Sequence, residues 1–413
     1  MIYFVYCAET IRRGVLPARK IHRGTAPRAG RNDFDVMKAI VNGRVILPGE
    51  IAEGRALLFD DKIIGLVPPG EIGGAEVIDA KGAYVAPGLI DLHIHGYLGE
   101  DVSDGSEAGL LKMAEGITRN GVTAWLPTTM TVSYDDLRRA FDVVRRLSRR
   151  ENNPRGAQML GVHAEGPFIN PSKKGAQAVE HIRPANADFL IENSDIIRLF
   201  TIAPEMPGAL DCIREVTQKT GMRASMGHTA ANYEEAKAGI RHATHLFNAM
   251  TPLVHRDPGV VGAALADDRI TTEMIADTFH ISPDLFGLVA KVKGDNLILV
   301  TDCTRAGGLA DGEYTLGGQP IFVKGIECRL KDGTIAGSVL RLNRAVFNVR
   351  EHTGLPLEQV VRMASLNPAR AIGVSDRKGS LEAGKDADII IADEAFEIER
   401  TIIAGETVYE KAE

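Results

Sequence analysis

Residues 88–95 read GLIDLHIH, an apolar run that ends in two histidines, His93 and His95, spaced two apart. In an extended strand residues i and i+2 project to the same side, so both imidazoles can converge on one ion where the strand finishes. Gly96 follows and lets the backbone turn sharply. Three further segments repeat the device: residues 159–165 (MLGVHAE), 222–228 (MRASMGH) and 241–245 (RHATH). Together they offer Glu165, His228 and His245, each placed where a buried strand would end.

Working outward, apolar strands near 88–95, 122–128, 158–165, 198–203, 222–228, 242–246, 272–277 and 296–302 alternate with helical patterns at 109–120, 134–150, 210–220, 233–239 and 283–292. This βα alternation predicts an α/β fold, a (β/α)8 TIM-like barrel over residues 88–371, with a metal site at the C-terminal strand ends. A doubly wound open sheet competes, but no GxGxxG follows the first strand. Residues 37–87 show short β segments broken at Gly43, Asp60, Asp61 and Gly82, and the same texture returns over 372–413. Both terminal parts are therefore expected to build one small β-sandwich beside the barrel. Residues 1–36, with Arg12, Arg13, Arg19, Lys20, Arg23, Arg28 and Arg31 against Glu9, Asp33 and Asp35, have no strand or helix period and are read as an extension outside the fold. Met37 is a plausible alternative start.

The 413 residues are 44% hydrophobic and 25% charged, with a formal net charge of -7. That balance argues against a nucleic-acid surface and for small-molecule partners. The four cysteines, Cys7, Cys212, Cys303 and Cys328, are far apart and lack CxxC spacing, which fits neither a disulfide framework nor a zinc ribbon. No apolar run approaches the ~20 residues that cross a bilayer. The expectation is a cytoplasmic protein without a membrane partner.

A carboxylate at Glu165, against Gly166 and Pro167, would be costly to bury unpaired, and a metal would compensate it. A structural ion pair is the competing reading. His163, on the same strand face, is a ligand or a partner behind the ligands; the second is favoured. Neutral imidazole suits zinc, so His228 and His245 are candidate ligands. His242 rivals His245 but begins its apolar segment rather than ending it. Asp302 closes NLILVTD, where a carboxylate can take a proton from an attacking water and return it to a leaving group. The alternative for Asp302 is capping of the next turn.

The segments APGLIDLHIHG, GVHAEGPFINPSKKGAQ, MGHTAANYEEA, THLFNAM, HRDPG, VTDCTRAGG and DGTIAGS resemble the amidohydrolase superfamily, in its branch that deacetylates 6-phosphorylated amino sugars. The resemblance runs from about Met37 to Glu410. It implies hydrolysis of the acetamide of N-acetyl-D-glucosamine 6-phosphate to D-glucosamine 6-phosphate and acetate. It further implies a divalent metal, zinc first and iron, manganese or cobalt as alternatives, held by Glu165, His228 and His245, with Asp302 as general base and then acid. The phosphosugar would meet Ala176, Gln177, Asn248, Ala249, Arg256, His280, Ile335, Ala336 and Gly337. Arg256 would reach the neighbouring site of a homodimer, its planar fork suiting phosphate.

Two departures qualify the resemblance. Some members lack the histidine pair, hold one metal and carry a carbonyl-polarising histidine where this chain has Gln177. Here one or two metals per subunit are expected, with His93 and His95 forming a conditional second site that Glu165 bridges. Thr304 and Arg305 replace the small residues usual after the base, and Arg305 is read as a solvated surface side chain. Competing functions are deacetylation of N-acetyl-galactosamine 6-phosphate, cyclic-amide hydrolysis, which Arg256 fits poorly, and a non-catalytic scaffold, which would have lost ligands.

Overall fold

The computed structural model describes residues 37–412. The proposed extension over 1–36, with Cys7, lies outside the described residues.

Parallel strands β1 (Leu89–Ile94), β2 (Val122–Thr129), β3 (Val162–Glu165), β4 (Ile197–Ile202), β5 (Arg223–Met226), β6 (His242–Ala243), β7 (Thr271–Ile275) and β8 (Leu297–Val300) pair in chain order. A short segment, Gln158–Met159, extends the third stave by pairing lower on β2. The ring closes just beyond β8: Asp302 N donates to His93 O at 2.8 Å, and His95 N donates to Cys303 O at 2.9 Å. Closure thus depends on the two segments that carry candidate chemistry. Burial on both faces explains why these strands read as continuous apolar runs rather than alternating ones. β2, for example, is buried at every position.

Several helices between strands start where the sequence supplies caps. Ser106 accepts from Gly109 N at the head of Glu107–Ile117, and Ser133 accepts from Asp136 N at the head of Tyr134–Leu147. The apolar stripe of the second, Leu137, Phe141 and Val144, packs into the common core.

Two sheets share a second core beside the barrel. In spatial order one is Ile63–Val67, Ala56–Phe59, Lys38–Val41 and Glu76–Asp79; the other is Glu406–Glu410, Ile398–Ile403, Ile389–Ala392, Tyr84–Pro87, Arg44–Ile46 and Ile51–Ala52. Ile40, Leu57, Phe59, Val85, Ile389 and Ile402 fill the space between them. The antiparallel pairing of Tyr84–Pro87 with Ile389–Ala392 joins the N-terminal and C-terminal parts in one sheet.

A three-stranded antiparallel sheet, Gly312–Leu316, Gln319–Lys324 and Glu327–Leu330, was not anticipated. Its signal is present in the sequence: Gly317 and Gly318, at φ 53° and 81°, form the tight turn, and Gln319–Lys324 alternates buried and exposed positions. Leu316, Ile321, Val323 and Cys328 pack with Met130, Ala176 and Ala336, which lays the sheet over the barrel's C-terminal mouth.

Among the described residues no helix is long and apolar enough to cross a membrane.

Lys378 secures the C-terminal return. Its Nζ lies 2.9 Å from Asp386 and 2.5 Å from Asp388, with its side chain 2% exposed. Asp388 also accepts from Ala404 N and, through its carbonyl, from Gly88 N. Asp386 keeps Lys62 and Arg377, but Lys378→Met would leave the buried Asp388 carboxylate without a cation, and we expect a loss of about 3–5 kcal/mol, read from chemical-denaturation curves.

Candidate active site

The candidate ligands sit at or just beyond the strand ends. His93 lies within β1 and His95 follows it; Glu165 is the last residue of β3. His228, His245 and Asp302 each come two residues after β5, β6 and β8, with φ of 47°, 31° and 49°. The sequence reading carried these strands through to the ligands. Instead the backbone leaves extended geometry before each one. Left-handed φ at a non-glycine residue costs on the order of 1–3 kcal/mol and persists only where neighbours fix it. Here His245 N donates to Glu273 Oε2 at 3.1 Å, Asp302 N to His93 O, and His228 O accepts from Asn170 N. The bend turns each side chain inward over the barrel axis.

At the centre is the Glu165 carboxylate. Its Oε1 lies 3.0 Å from His245 Nε2, 3.3 Å from His228 Nε2 and 3.4 Å from His93 Nε2; Oε2 lies 3.2 Å from His95 Nε2. The imidazoles also crowd each other, with Nε2 to Nε2 distances of 3.1 Å for His228 and His245 and 3.2 Å for His93 and His95. For three of them the Nδ1 proton has a partner elsewhere: His228 with Lys173 O, His95 with Thr128 O, and His93 with Glu273 Oε2. Their Nε2 lone pairs therefore face one another and a carboxylate oxygen, Glu165 Oε1, that is buried without a hydrogen-bond partner.

Only added positive charge relieves that arrangement. Burial by itself would lower the pKa of both His93 and His95. The Glu165, Glu273 and Asp302 carboxylates reverse this for His93, raising it well above its ordinary value; Asp302 and Glu165 raise His95 to about 9. Protons or a divalent cation must supply the charge, and the donor set fits a cation. Glu165, His228 and His245 form one group of ligand atoms, and His93, His95 and Glu165 a second. Nitrogen and carboxylate donors of this kind suit zinc and its neighbours.

Asp302 Oδ1 lies 3.3 Å from His95 Nε2 and 3.6 Å from His93 Nε2. Burial pushes its carboxyl up, but the facing His93 and His95 hold it below the ordinary value. It opens onto a cavity of about 390 Å³ that also exposes Glu165, His228 and His245. That volume suits a small ligand.

Of the other sequence candidates, Ala176, Gln177, Asn248, Ala249, His280, Ile335 and Gly337 line this cavity. Gln177 is fully engaged: its Nε2 donates to Glu165 Oε2 at 2.6 Å and its Oε1 accepts from Thr131 N at 2.7 Å. His280 is oriented by Asp277, whose Oδ2 lies 2.6 Å from Nδ1. Ala336 does not line the cavity; it is buried in the small core under the three-stranded sheet. Arg256 is exposed and does not line this chain's cavity. His163 has both nitrogens occupied, by Leu92 O and Thr201 Oγ1, and packs edge-on against His93. His242 lies beneath His245 and pairs with Glu273 Oε1 at 3.0 Å.

Arg305 requires a correction. Its side chain is 18% exposed and pairs with Asp104 at 3.1 Å and Asp101 at 3.4 Å, so it is an anchored arginine rather than a solvated one. Sequence reasoning also missed Glu273 and Asp91. Both are fully buried carboxylates inside otherwise apolar strands, and that inconsistency with their surroundings was the available signal.

Residues 84–408 match the model of the amidohydrolase family. The chain belongs to the amidohydrolase family. It is 38% identical over 371 residues to N-acetylglucosamine-6-phosphate deacetylase of Bacillus subtilis, a match spanning 87% of this chain and 93% of the relative. It is 36% identical over 363 residues to N-acetylgalactosamine-6-phosphate deacetylase of Escherichia coli O157:H7, spanning 86% and 94%. The crystal structure of N-acetylglucosamine-6-phosphate deacetylase from Pasteurella multocida superimposes with a TM-score of 0.86 at 34% identity, covering 91% of this chain and all of that one. As in other amidohydrolases, the activity is metal-dependent hydrolysis.

Glu165 faces both groups of histidines. We expect Glu165→Gln to bind substoichiometric metal at either group, with elemental analysis of purified protein as the measurement.

Proposed function

We propose that this protein hydrolyses the acetamide of N-acetyl-D-glucosamine 6-phosphate, giving D-glucosamine 6-phosphate and acetate. The observation that carries the reading is the convergence of Glu165, His228 and His245 beside Asp302 at one cavity, in a chain that spans nearly the whole length of relatives named for this deacetylation.

Glu165, His228 and His245 would hold the main metal, and His93 and His95 a second, with Glu165 shared between them. Zinc is the proposed ion; iron, manganese or cobalt would also suit these donors. When bound, such an ion acidifies water and polarises the amide carbonyl. Asp302 takes the proton of the attacking water and delivers it to the departing amine nitrogen as the C–N bond breaks. Gln177 is committed to holding Glu165. That leaves His280, steadied by Asp277, to hydrogen-bond the carbonyl oxygen as it gains negative charge.

Phosphate recognition is assigned to Arg256 of a neighbouring subunit in a homodimer. Hydrogen bonds between Val254 and Asp257 close the turn that presents Arg256, and Leu253 and Val254 beside it are 54% and 46% exposed. Such an apolar rim suits burial against a second copy. Cytoplasmic residence is part of the same reading, supported by Cys212, Cys303 and Cys328, each buried as a free thiol.

The deciding assay is acetate release from both 6-phosphosugars, with and without chelator. Chelation should abolish turnover and metal should restore it, with the glucosamine derivative preferred; equal or greater turnover of the galactosamine derivative would assign the other sugar. Asp302→Asn should cut kcat by roughly 10²–10⁴ while leaving bound metal unchanged, and wild-type turnover in this variant would remove Asp302 from its role. Arg256→Ala should raise KM at least tenfold with little change in kcat, and sedimentation should find wild-type dimers.

A further inference from the structure

The Glu273 carboxylate is 0% exposed and points from β7 into the base of the site. Its oxygens accept from three directions. Oε2 takes His93 Nδ1 at 2.9 Å and His245 N at 3.1 Å, while Oε1 takes His242 Nε2 at 3.0 Å. One carboxylate therefore grips the imidazole of one candidate metal group and the backbone of the other. His242 is held in turn by Thr271 Oγ1 at 2.6 Å, which fixes the far side of the carboxylate.

Each contact has a distinct consequence. Accepting from His93 Nδ1 keeps the proton on that nitrogen, so Nε2 presents its lone pair toward Glu165 and His95. Accepting from His245 N steadies a ligand whose φ is 31°. The His93 contact is the one that discriminates between the two groups. His228 and His95 are oriented by backbone carbonyls, which carry no net charge, whereas His93 alone among the four is oriented by a carboxylate.

We propose that Glu273 is a positioning residue for the second metal: acting through His93, it sets the affinity of the His93, His95 and Glu165 group and leaves the Glu165, His228 and His245 group largely unaffected. This rests on the two-metal reading given above. Gln can replace Glu273 with the same shape. Its amide oxygen can still accept from His93 and His245, and its NH2 can face His242 Nε2 if that imidazole shifts its proton to Nδ1, toward Thr271. The substitution then removes charge and basicity rather than volume.

The test is zinc titration of metal-stripped protein by calorimetry, with elemental analysis and a melting curve of each apo-protein. Wild type should bind two equivalents. Glu273→Gln should weaken only the site that His93→Asn removes, by ~10–100-fold, the range found when a partner of a ligating histidine is removed, with an unchanged apo melting temperature. His93→Asn should bind one equivalent, and His93→Asn/Glu273→Gln should bind that equivalent with the same affinity, because Glu273 then has no histidine to act through. If Glu273→Gln does not fold, His242→Gln, which frees the other carboxylate oxygen, should weaken the same site by less than tenfold but measurably. Two equivalents bound at wild-type affinity in Glu273→Gln, or in His242→Gln where that variant is used, would overturn the inference while leaving two metals in place. A further loss of affinity in the double variant would overturn it too, by placing the effect at His245. A single equivalent in wild type would overturn the two-metal reading, and this inference with it.

Discussion

A carboxylate buried among imidazole lone pairs cannot stand without positive charge, and the rest of this molecule is arranged around that constraint at Glu165. Its Oε1 lies within 3.4 Å of three Nε2 atoms, each on a different stretch of chain. The barrel brings those stretches together because parallel strands in chain order put all their C-terminal ends on one face. Closure of the ring by Asp302 N and His95 N then ties Asp302 and the histidine pair to the same hydrogen bonds that complete the sheet. Structure and chemistry are thus coupled at the β1 and β8 junction.

Behind the candidate ligands lies a layer of polar groups buried from solvent. Asp91 accepts from Thr301 Oγ1 and His93 N, Glu273 joins His93 to His242, and His163 fills the gap under His93 with both nitrogens satisfied. Such a network is stable only when nearly every member has a partner. Burial drives His163 down to about 3, with the nearby His93 adding to the effect, so it stays neutral beneath a cluster that gathers charge. The contrast separates the imidazoles that could hold an ion from one that packs under them.

Much of this was legible in the strand runs. Eight apolar segments ending in polar residues identified the barrel, and the β texture at both ends identified the sandwich. The three-stranded sheet over the mouth was not anticipated although Gly317 and Gly318 mark its turn, because it stands outside the βα alternation that identifies the barrel. Arg305 was misread since an arginine's partners, here Asp101 and Asp104, lie some 200 positions away in the chain. Ala336 was carried over with its neighbours Ile335 and Gly337, but the backbone turns at Gly337, whose φ is 60°, and Ala336 packs in the core under the three-stranded sheet.

Burial on both faces requires apolar runs, and a charged residue at the end of such a run must find compensation, so the residue types at each strand end can be read from the chain alone. How those ends divide the labour follows from the fold. Which histidine faces Glu165, which sits beneath it, and which carboxylate orients His93 depend on backbone bends at His228, His245 and Asp302 and on contacts between segments far apart in the chain. Local sequence encodes periodicity; it carries no record of which strands become neighbours when the ring closes.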